Sequence, residues 1–186
     1  MDIEATSLEG VKLLTPQRRV DTRGWFSESW NVNTLSRAGI ECAFVQDNHS
    51  RSEASCTLRG LHYQHPPHAQ DKLVSCVRGA ILDVVVDVRL GSPDYTRWLA
   101  VKLTEEKGNQ LFIPKGFLHG FVTLVDDTEV QYKCSDFYAP EHDGAVRWDS
   151  LDIDWGLSTA PILSPKDAHA PTFDEWTSPF NYVSQA

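Results

Sequence analysis

The sequence has no surplus of positive charge. Its 17 lysines and arginines are outnumbered by 26 aspartates and glutamates, so the net charge is −9 with neutral histidines. Affinity for nucleic acid depends on lysine and arginine side chains that neutralise phosphates. The composition therefore excludes a general nucleic-acid-binding protein, and a site for a diphosphate would have to gather its cations locally.

Long apolar runs and closely spaced cysteine pairs are also missing. No segment approaches the roughly 20 apolar residues that a membrane helix needs, and the first residues are acidic where a secretory signal would carry basic residues and an apolar block. The four cysteines form no CxxC pair. We therefore expect a cytoplasmic protein that does not contact a membrane and keeps its thiols reduced.

Neither glycine-rich phosphate loop, GxGxxG or GxxxxGK[ST], occurs, so Rossmann and P-loop folds have no support. Short segments of alternating polarity are abundant instead. In residues 80–90, Leu82 and Val84 alternate with Asp83 and Asp87. This pattern predicts a strand with one apolar face and one mixed face, which we expect to be solvated or ion-paired. The other predicted strands are residues 43–47, 57–63, 72–77, 98–103, 109–113, 119–124 and 129–135.

Many short strands with little helix between them predict an all-β fold, namely a cupin-like antiparallel jelly roll or β-sandwich with a few short helices. One helix is expected at residues 33–38, with Asn33 as N-cap and Gly39 as its stop. From about residue 157 the chain is rich in proline, serine, threonine and aspartate, which predicts irregular structure or short helical turns. We see no repeat or linker and expect a single domain over residues 1–186.

Histidines concentrate in two segments. The second segment matches the second cupin motif, G-x5-P-x-G-x2-H, at Gly108, Pro114, Gly116 and His119. The first motif of a metal-binding cupin needs H-x-H followed by a glutamate, but Gln64 stands two positions after His62, and Lys72 would repel a cation. We therefore expect a cupin-like fold without its metal. His65 and His68, in a proline-rich loop, are expected to be solvated.

Six ordered blocks carry a closer resemblance. They are FVQDNHS (44–50), TLRGLHYQ (57–64), AQDKLV (69–74), DVVVDVR (83–89), IPKGFLHGF (113–121) and LSPKD (163–167). With these blocks the chain resembles the dTDP-4-dehydrorhamnose 3,5-epimerase family from about residue 21 to residue 167. The resemblance implies a metal-free jelly roll that uses no cofactor, forms a homodimer and acts on a dTDP-linked 4-keto-6-deoxy sugar.

The chemistry of such a substrate can be compared with the residues. A ketone at C4 acidifies the C–H bonds at C3 and C5, and inversion needs a base, an acid on the opposite face and a cation near the enolate oxygen. His62 is the natural base, because imidazole titrates near neutral pH. The resemblance gives Asp167 as its carboxylate partner. Tyr132 could return the proton, and Lys72, helped by His119, could stabilise the enolate.

The resemblance also implies a substrate-binding set. Arginine suits a diphosphate through its fork of donors, and an aromatic ring such as that of Phe26 can stack on thymine. Asp143 stands where we expect a longer acidic residue in the family. In a homodimer that exchanges an N-terminal strand, Arg23 or Phe26 would lie in the partner's site. The implied binding residues are Arg23, Phe26, Glu28, Asp47, Asn48, Arg59, His119, Asp143 and Lys166.

Arg59 and His62 are separated by an odd number of positions on the predicted strand at residues 57–63. Arg59 and His62 would point to opposite faces of a regular strand, so both can face one cavity only if the strand contains a bulge. Gly60, between them, is the residue type found at bulges.

The predicted reaction is the conversion of dTDP-4-dehydro-6-deoxy-D-glucose to dTDP-4-dehydro-L-rhamnose. Two alternatives stay open at this point. The nearer is a relative that inverts one carbon or moves the keto group in an antibiotic deoxysugar pathway. The more distant is a metal-dependent cupin or a sugar-binding module without catalysis.

Overall fold

A computed structural model describes residues 1–183 of the chain, and β-strands dominate it. In chain order the strands are β1 Asp2–Ala5, β2 Lys12–Thr15, β3 Arg19–Asp21, β4 Gly24–Phe26, β5 Gln46–Ser52, β6 Leu58–Gln64, β7 Lys72–Arg78, β8 Ala80–Asp87, β9 Trp98–Thr104, β10 Gln110–Ile113, β11 Phe117–Thr123, β12 Thr128–Cys134 and β13 Asp143–Ala145. The helical elements are α1 Val32–Arg37, α2 Pro165–Ala168 and the 3₁₀ turns Pro140–His142 and Phe173–Glu175.

The strands form two large sheets and a separate hairpin. The larger sheet has the order β1-β2-β10-β7-β12-β5, the smaller has the order β13-β6-β11-β8-β9, and β3 pairs with β4 alone. The strand pairs are antiparallel. The prediction of an all-β antiparallel jelly roll with a few short helices is confirmed. Within residues 1–183, no helix has the length and apolar character needed to cross a membrane.

Both faces of β8 are covered, and this explains its alternation. Ile81 and Val85 belong to the core between the two large sheets. Val84, on the other face, belongs to a second core in which the C-terminal segment contributes Trp155 and Phe180. Burying each of these large side chains stabilises the fold by about 1.5–3 kcal/mol. The predicted apolar face therefore packs under the C-terminal segment, while the mixed face points into the molecule.

The acidic residues of β8 correct one expectation. Asp83 and Asp87 are both 0% exposed, so the expectation of a solvated face is wrong and that of an ion-paired face is confirmed. Asp87 pairs with Arg89 at 2.6 Å and accepts a hydrogen bond from Ser92 Oγ at 2.7 Å. A buried carboxylate is tolerated only when it is paired in this way.

Several element boundaries differ from those predicted. The N-cap of α1 is Asn31, whose side chain accepts hydrogen bonds from the N–H groups of Asn33 and Thr34, so Asn33 lies inside the first turn. The predicted strand at residues 43–47 is misplaced, since β5 begins at Gln46 and runs through a polar segment. Strands β1 to β4 and β13, of three or four residues each, were not predicted.

Two other expectations are confirmed in the described residues. All four cysteines are free. The segment after residue 157 is irregular apart from short helical turns, among them α2. Ser164 caps α2 by accepting a hydrogen bond from the backbone N–H of Asp167 at 3.1 Å. This cap places Asp167 beside β6, against which α2 packs.

Candidate active site

A cavity of about 190 Å³ opens between the two large sheets. The smaller sheet contributes His62 from β6, and the larger sheet contributes Lys72 from β7 and Tyr132 from β12. The cavity therefore has catalytic candidates on two facing walls. The predicted residues that line it are Asn48, His62, Lys72, Tyr132, Asp143 and Lys166.

A bulge in β6 sets the direction of the His62 side chain. His119 on β11 is paired with His62, but Phe121 is paired with Arg59, so two steps on β11 oppose three on β6. Gly60 lies within the extra step with φ +145°, and a Cβ added there would lie 2.6 Å from the Cα of Gly120. Only glycine fits this close approach. The predicted bulge is confirmed.

His62 and Asp167 form the first of two histidine–carboxylate pairs. Nε2 of His62 lies 2.5 Å from Oδ1 of Asp167, and their side chains are 31% and 3% exposed. Burial raises the pKa of Asp167, but the hydrogen bond and charge of His62 outweigh it and hold that pKa below its usual value. The ionised carboxylate orients the ring and leaves its Nδ1 for a substrate.

His119 and Asp83 form the second pair, on the neighbouring strands β11 and β8. Nε2 of His119 lies 2.7 Å from Oδ1 of Asp83, and their side chains are 8% and 0% exposed. Burial lowers the pKa of His119, although the charge and hydrogen bond of Asp83 oppose that effect. Within residues 1–183, Oδ2 of Asp83 has no hydrogen-bond partner. The sequence alone did not pair Asp83 with a histidine. Asp83 does share a strand face with Val85, which belongs to the core between the sheets, and this was a signal that Asp83 points into the molecule.

Lys72 and Tyr132 face the cavity from the larger sheet. Nζ of Lys72 lies 5.9 Å from the centre of the Tyr132 ring. Burial lowers the pKa of Lys72, although the charges of Cys134, Asp143 and Asp83 oppose that effect. Burial also raises the pKa of Tyr132, which keeps its phenol protonated. The wall thus offers a cation beside a proton donor.

Polar residues border the cavity at its mouth. Asn48 is paired directly with Tyr132 across β5 and β12. Nζ of Lys166 forms a salt bridge with Asp143, and the hydroxyl of Tyr138 donates to Asp143 at 3.1 Å. Asp143 therefore contacts Lys166 and Tyr138, and its expected contact with the substrate stays a prediction.

Arg59 lies next to this set. Its Nη2 donates to the carbonyl oxygen of Arg51 at 3.2 Å. Its positive charge acts on Tyr132, where it opposes the rise in pKa caused by burial.

Four predicted binding residues lie elsewhere. The side chain of Arg23 is 88% exposed and pairs with Asp21 at 2.6 Å on the β3–β4 hairpin. Phe26 is 69% exposed. Glu28 accepts a hydrogen bond from the Asn31 side chain at 3.1 Å. Their assignments, together with that of Asp47, stay predictions.

A second cavity of about 330 Å³ lies on the outer face of the larger sheet, beside the hairpin. Asp47 lines it and pairs with Lys133 at 2.7 Å, whereas its neighbour Asn48 lines the cavity between the sheets. No histidine lines this outer cavity. The outer cavity is larger than the cavity between the sheets, but within residues 1–183 it lacks a histidine that could act as a base.

Sequence reasoning missed several polar residues of the site, among them Tyr138, Gln46 and Gln70. The side chain of Gln46 accepts a hydrogen bond from the N–H of Tyr138 at 2.9 Å. Tyr138 and Gln70 lie in loops and Gln46 is the first residue of β5, so neither periodicity nor motif spacing distinguishes them from ordinary surface residues.

The comparison with known families decides the relationship. A family model described as dTDP-4-dehydrorhamnose 3,5-epimerase matches residues 5–175. The chain belongs to this epimerase family. A dTDP-4-dehydrorhamnose 3,5-epimerase from Escherichia coli K12 is 45% identical over 178 residues, which cover 94% of this chain and 96% of that protein. The resemblance in the sequence is thereby confirmed.

Solved structures of epimerases agree with this membership. The enzyme from Bacillus anthracis, with TDP and PPi bound, superposes with a TM-score of 0.90 and 44% identity, covering 92% of this chain and 99% of that one. The enzyme from Legionella pneumophila, in complex with dTDP-4-keto-L-rhamnose, gives a TM-score of 0.89 and 43% identity, with 93% of each chain covered.

The same fold also occurs in an epimerase of narrower action. A 3'-monoepimerase from Streptomyces bikiniensis, in complex with dTDP-quinovose, gives a TM-score of 0.85 and 36% identity, covering 91% of this chain and 87% of that one. The architecture of the family is thus compatible with inversion at one carbon as well as at two.

Proposed function

We propose that this epimerase converts dTDP-4-dehydro-6-deoxy-D-glucose to dTDP-4-dehydro-L-rhamnose in the cytoplasm by inverting C5 and C3. The observation that carries the proposal is the His62–Asp167 pair, which meets Tyr132 and Lys72 across one cavity between the sheets. A base and an acid on facing walls are what inversion of a carbon next to a ketone requires.

His62 acts as the base at both carbons. Its imidazole removes the proton, and the electron pair of the C–H bond moves into the enolate with its charge on the C4 oxygen. The carboxylate of Asp167 stabilises the imidazolium that forms. The proton then passes to water, which returns His62 to its neutral state for the next step.

Lys72 and Tyr132 act from the opposite wall. The ammonium group of Lys72 stabilises the enolate oxygen, an interaction that is stronger in the partly dehydrated cavity than in water. The phenol of Tyr132 donates a proton to the other face of the carbon and regains one from solvent. No electrons are gained or lost overall, so the proposed reaction needs no cofactor and no metal.

The substrate's diphosphate requires cations, which an acidic protein must supply locally. Lys166 and the amide of Asn48 line the cavity, and the charge of Arg59 acts on Tyr132 at its wall. His119 pairs with Asp83, and the charge of Asp83 favours the protonated form of Lys72. This arrangement favours a nucleotide-linked sugar over a nucleic acid, because the cations are few and confined to one opening.

The hairpin suggests how the remaining residues take part. Val20, Trp25 and Phe26 on β3 and β4 are 79%, 57% and 69% exposed, which leaves an apolar surface on a projecting element. A homodimer that packs this hairpin against the partner would cover the surface and bring Arg23 and Phe26 near the partner's cavity. Sedimentation at working concentration would show a dimer, and a monomer would contradict this part of the proposal.

The experiment for the activity is proton NMR of dTDP-4-dehydro-6-deoxy-D-glucose incubated with the protein in deuterium oxide. Loss of both the C3 and C5 proton signals, with formation of the L-lyxo product, is the expected result. No loss at either carbon, with dTDP still bound, would overturn the proposal and leave a binding protein.

Inversion at one carbon is the second candidate, and the Streptomyces monoepimerase is the observation that favours it. Loss of only one of the two proton signals would assign the chain to that group. His62, Asp167 and Lys72 would keep their roles, since abstraction at either carbon needs the same base and the same cation.

A further inference from the structure

Three side chains outside the catalytic pair converge at the edge of the fold. Potential ligand atoms of His68, Glu141 and His142 lie within 4.8 Å of one another. His68 comes from the loop that follows β6, and the other two come from the 3₁₀ turn that precedes β13. Two imidazoles and one carboxylate form a ligand set that holds divalent transition metals with positions left open for water.

The hydrogen bonds of the two histidines leave the ligand atoms available. Nδ1 of His68 lies 3.2 Å from Oδ2 of Asp136, so this carboxylate fixes the ring and leaves Nε2 for a metal. Metal-bound histidines are usually held by a carboxylate in this manner. Nδ1 of His142 is buried and lies 3.5 Å from Oε1 of Glu141, with no hydrogen bond to it or to any other group within residues 1–183. A cation bound by both atoms would satisfy the buried nitrogen and the carboxylate together.

Packing holds the cluster in place. The ring centre of His142 lies 4.6 Å from that of His68 and 4.4 Å from that of His65. The backbone N–H of His65 donates to the carbonyl oxygen of His142 at 3.0 Å, which ties the loop to the turn. The side chains of His68 and His142 are 39% and 20% exposed, so an ion can enter and retain water.

We propose that His68, Glu141 and His142 form a binding site for one Zn²⁺ ion. The site is separate from the barrel interior, where the sequence predicts no metal, and it takes no part in the proton transfers of His62. The bound ion would join the loop after β6 to the turn before β13 and thereby fix their relative positions. Because Asp143, the first residue of β13, lines the active-site cavity, the ion would also help to fix one wall of that cavity.

The test uses the untagged full-length chain after treatment with EDTA and dialysis, titrated with ZnCl₂ in a calorimeter. We expect one Zn²⁺ per chain and a higher melting temperature when Zn²⁺ is present. His68→Gln and His142→Gln should each weaken binding by at least about tenfold, and Asp136→Asn should weaken it by about 10–100-fold, the range typical of partners behind a metal ligand.

A matched control uses another exposed histidine. His49 lies on the outer face of β5 and pairs with Glu129 at 3.0 Å, away from the cluster, and His49→Gln should bind Zn²⁺ as the unmodified chain does. Absence of binding by the unmodified chain would overturn the proposal. Equal affinity in the unmodified chain, His68→Gln, His142→Gln and Asp136→Asn would overturn it as well, because binding would then be adventitious.

Discussion

Two histidine–aspartate pairs lie on neighbouring strands of the same sheet, and they differ mainly in exposure. His62 is 31% exposed and faces the cavity, whereas His119 is 8% exposed and directly opposite it in the strand register. The carboxylate of the first pair comes from α2, which is distant in sequence but packs against β6. The carboxylate of the second pair comes from the adjacent strand β8.

This difference separates two roles for the same chemical pair. An imidazole that takes protons from a substrate must reach the substrate and exchange its proton with water, which His62 can do. Burial lowers the pKa of His119, so its ring stays neutral more readily. A neutral imidazole is suited to a structural hydrogen bond with the buried carboxylate of Asp83. We therefore expect substitutions in the first pair to affect catalysis and substitutions in the second pair to affect stability first.

The largest effect is expected for His62→Asn. Loss of the general base should reduce turnover by about 10²–10⁴-fold, and the melting temperature should fall by a few degrees because the buried carboxylate of Asp167 loses its partner. Steady-state kinetics and thermal melts measure the two effects. Binding of dTDP should be retained as a control, and normal turnover in this variant would remove the assignment of the base.

Asp83→Asn tests the buried pair. Asparagine cannot reproduce the charged acceptor of His119, and hydrogen bonds to charged groups contribute about 1.5–3 kcal/mol to stability. Urea unfolding should show a loss of that order, with residual turnover larger than that of His62→Asn. An unchanged free energy of unfolding combined with abolished turnover would reverse the roles of the two pairs.

Lys72→Met sharpens the contrast between function and stability. Because burial lowers the pKa of Lys72 in the fold, its ammonium group opposes folding at neutral pH. The variant should unfold at higher urea, with a gain of about 1 kcal/mol, and should turn over more slowly. The gain should shrink as the pH rises through the lowered pKa towards 10.5, where the unfolded lysine also loses its proton. A destabilised variant would contradict the account.

The smallest expected effect is the change in the free energy of unfolding of Asp167→Asn at acidic pH. The pKa of Asp167 is lowered in the fold, so its carboxylate contributes stability above the unfolded pKa near 3.8, and this contribution is lost as the pH falls through the folded pKa. The difference in unfolding free energy between the original chain and the variant should decrease as the pH falls below 3.8. Urea unfolding between pH 3 and 7 measures it, and a difference that grows on acidification would be the opposite result.

The sequence predicts the sheet strands well where alternation is long, as in β8, and poorly where strands are short or polar, as in β5. The bulge at Gly60 follows from strand parity once the family resemblance assigns Arg59 and His62 to one cavity. The pairing of His62 with Asp167 does not, because 105 residues separate them and only the family resemblance joins them. The site of His68 and His142 was not predicted, since convergence of two loops leaves no periodic signal.

Deuterium exchange in two histidine variants separates the role of His62 from that of His119. The substrate's C3 and C5 protons are followed by NMR in deuterium oxide with His62→Asn and His119→Asn, each first shown to be folded by a thermal melt. Exchange should stop at both carbons in His62→Asn and continue, more slowly, in His119→Asn. Continued exchange in His62→Asn at the original rate would contradict the role of His62 as the base.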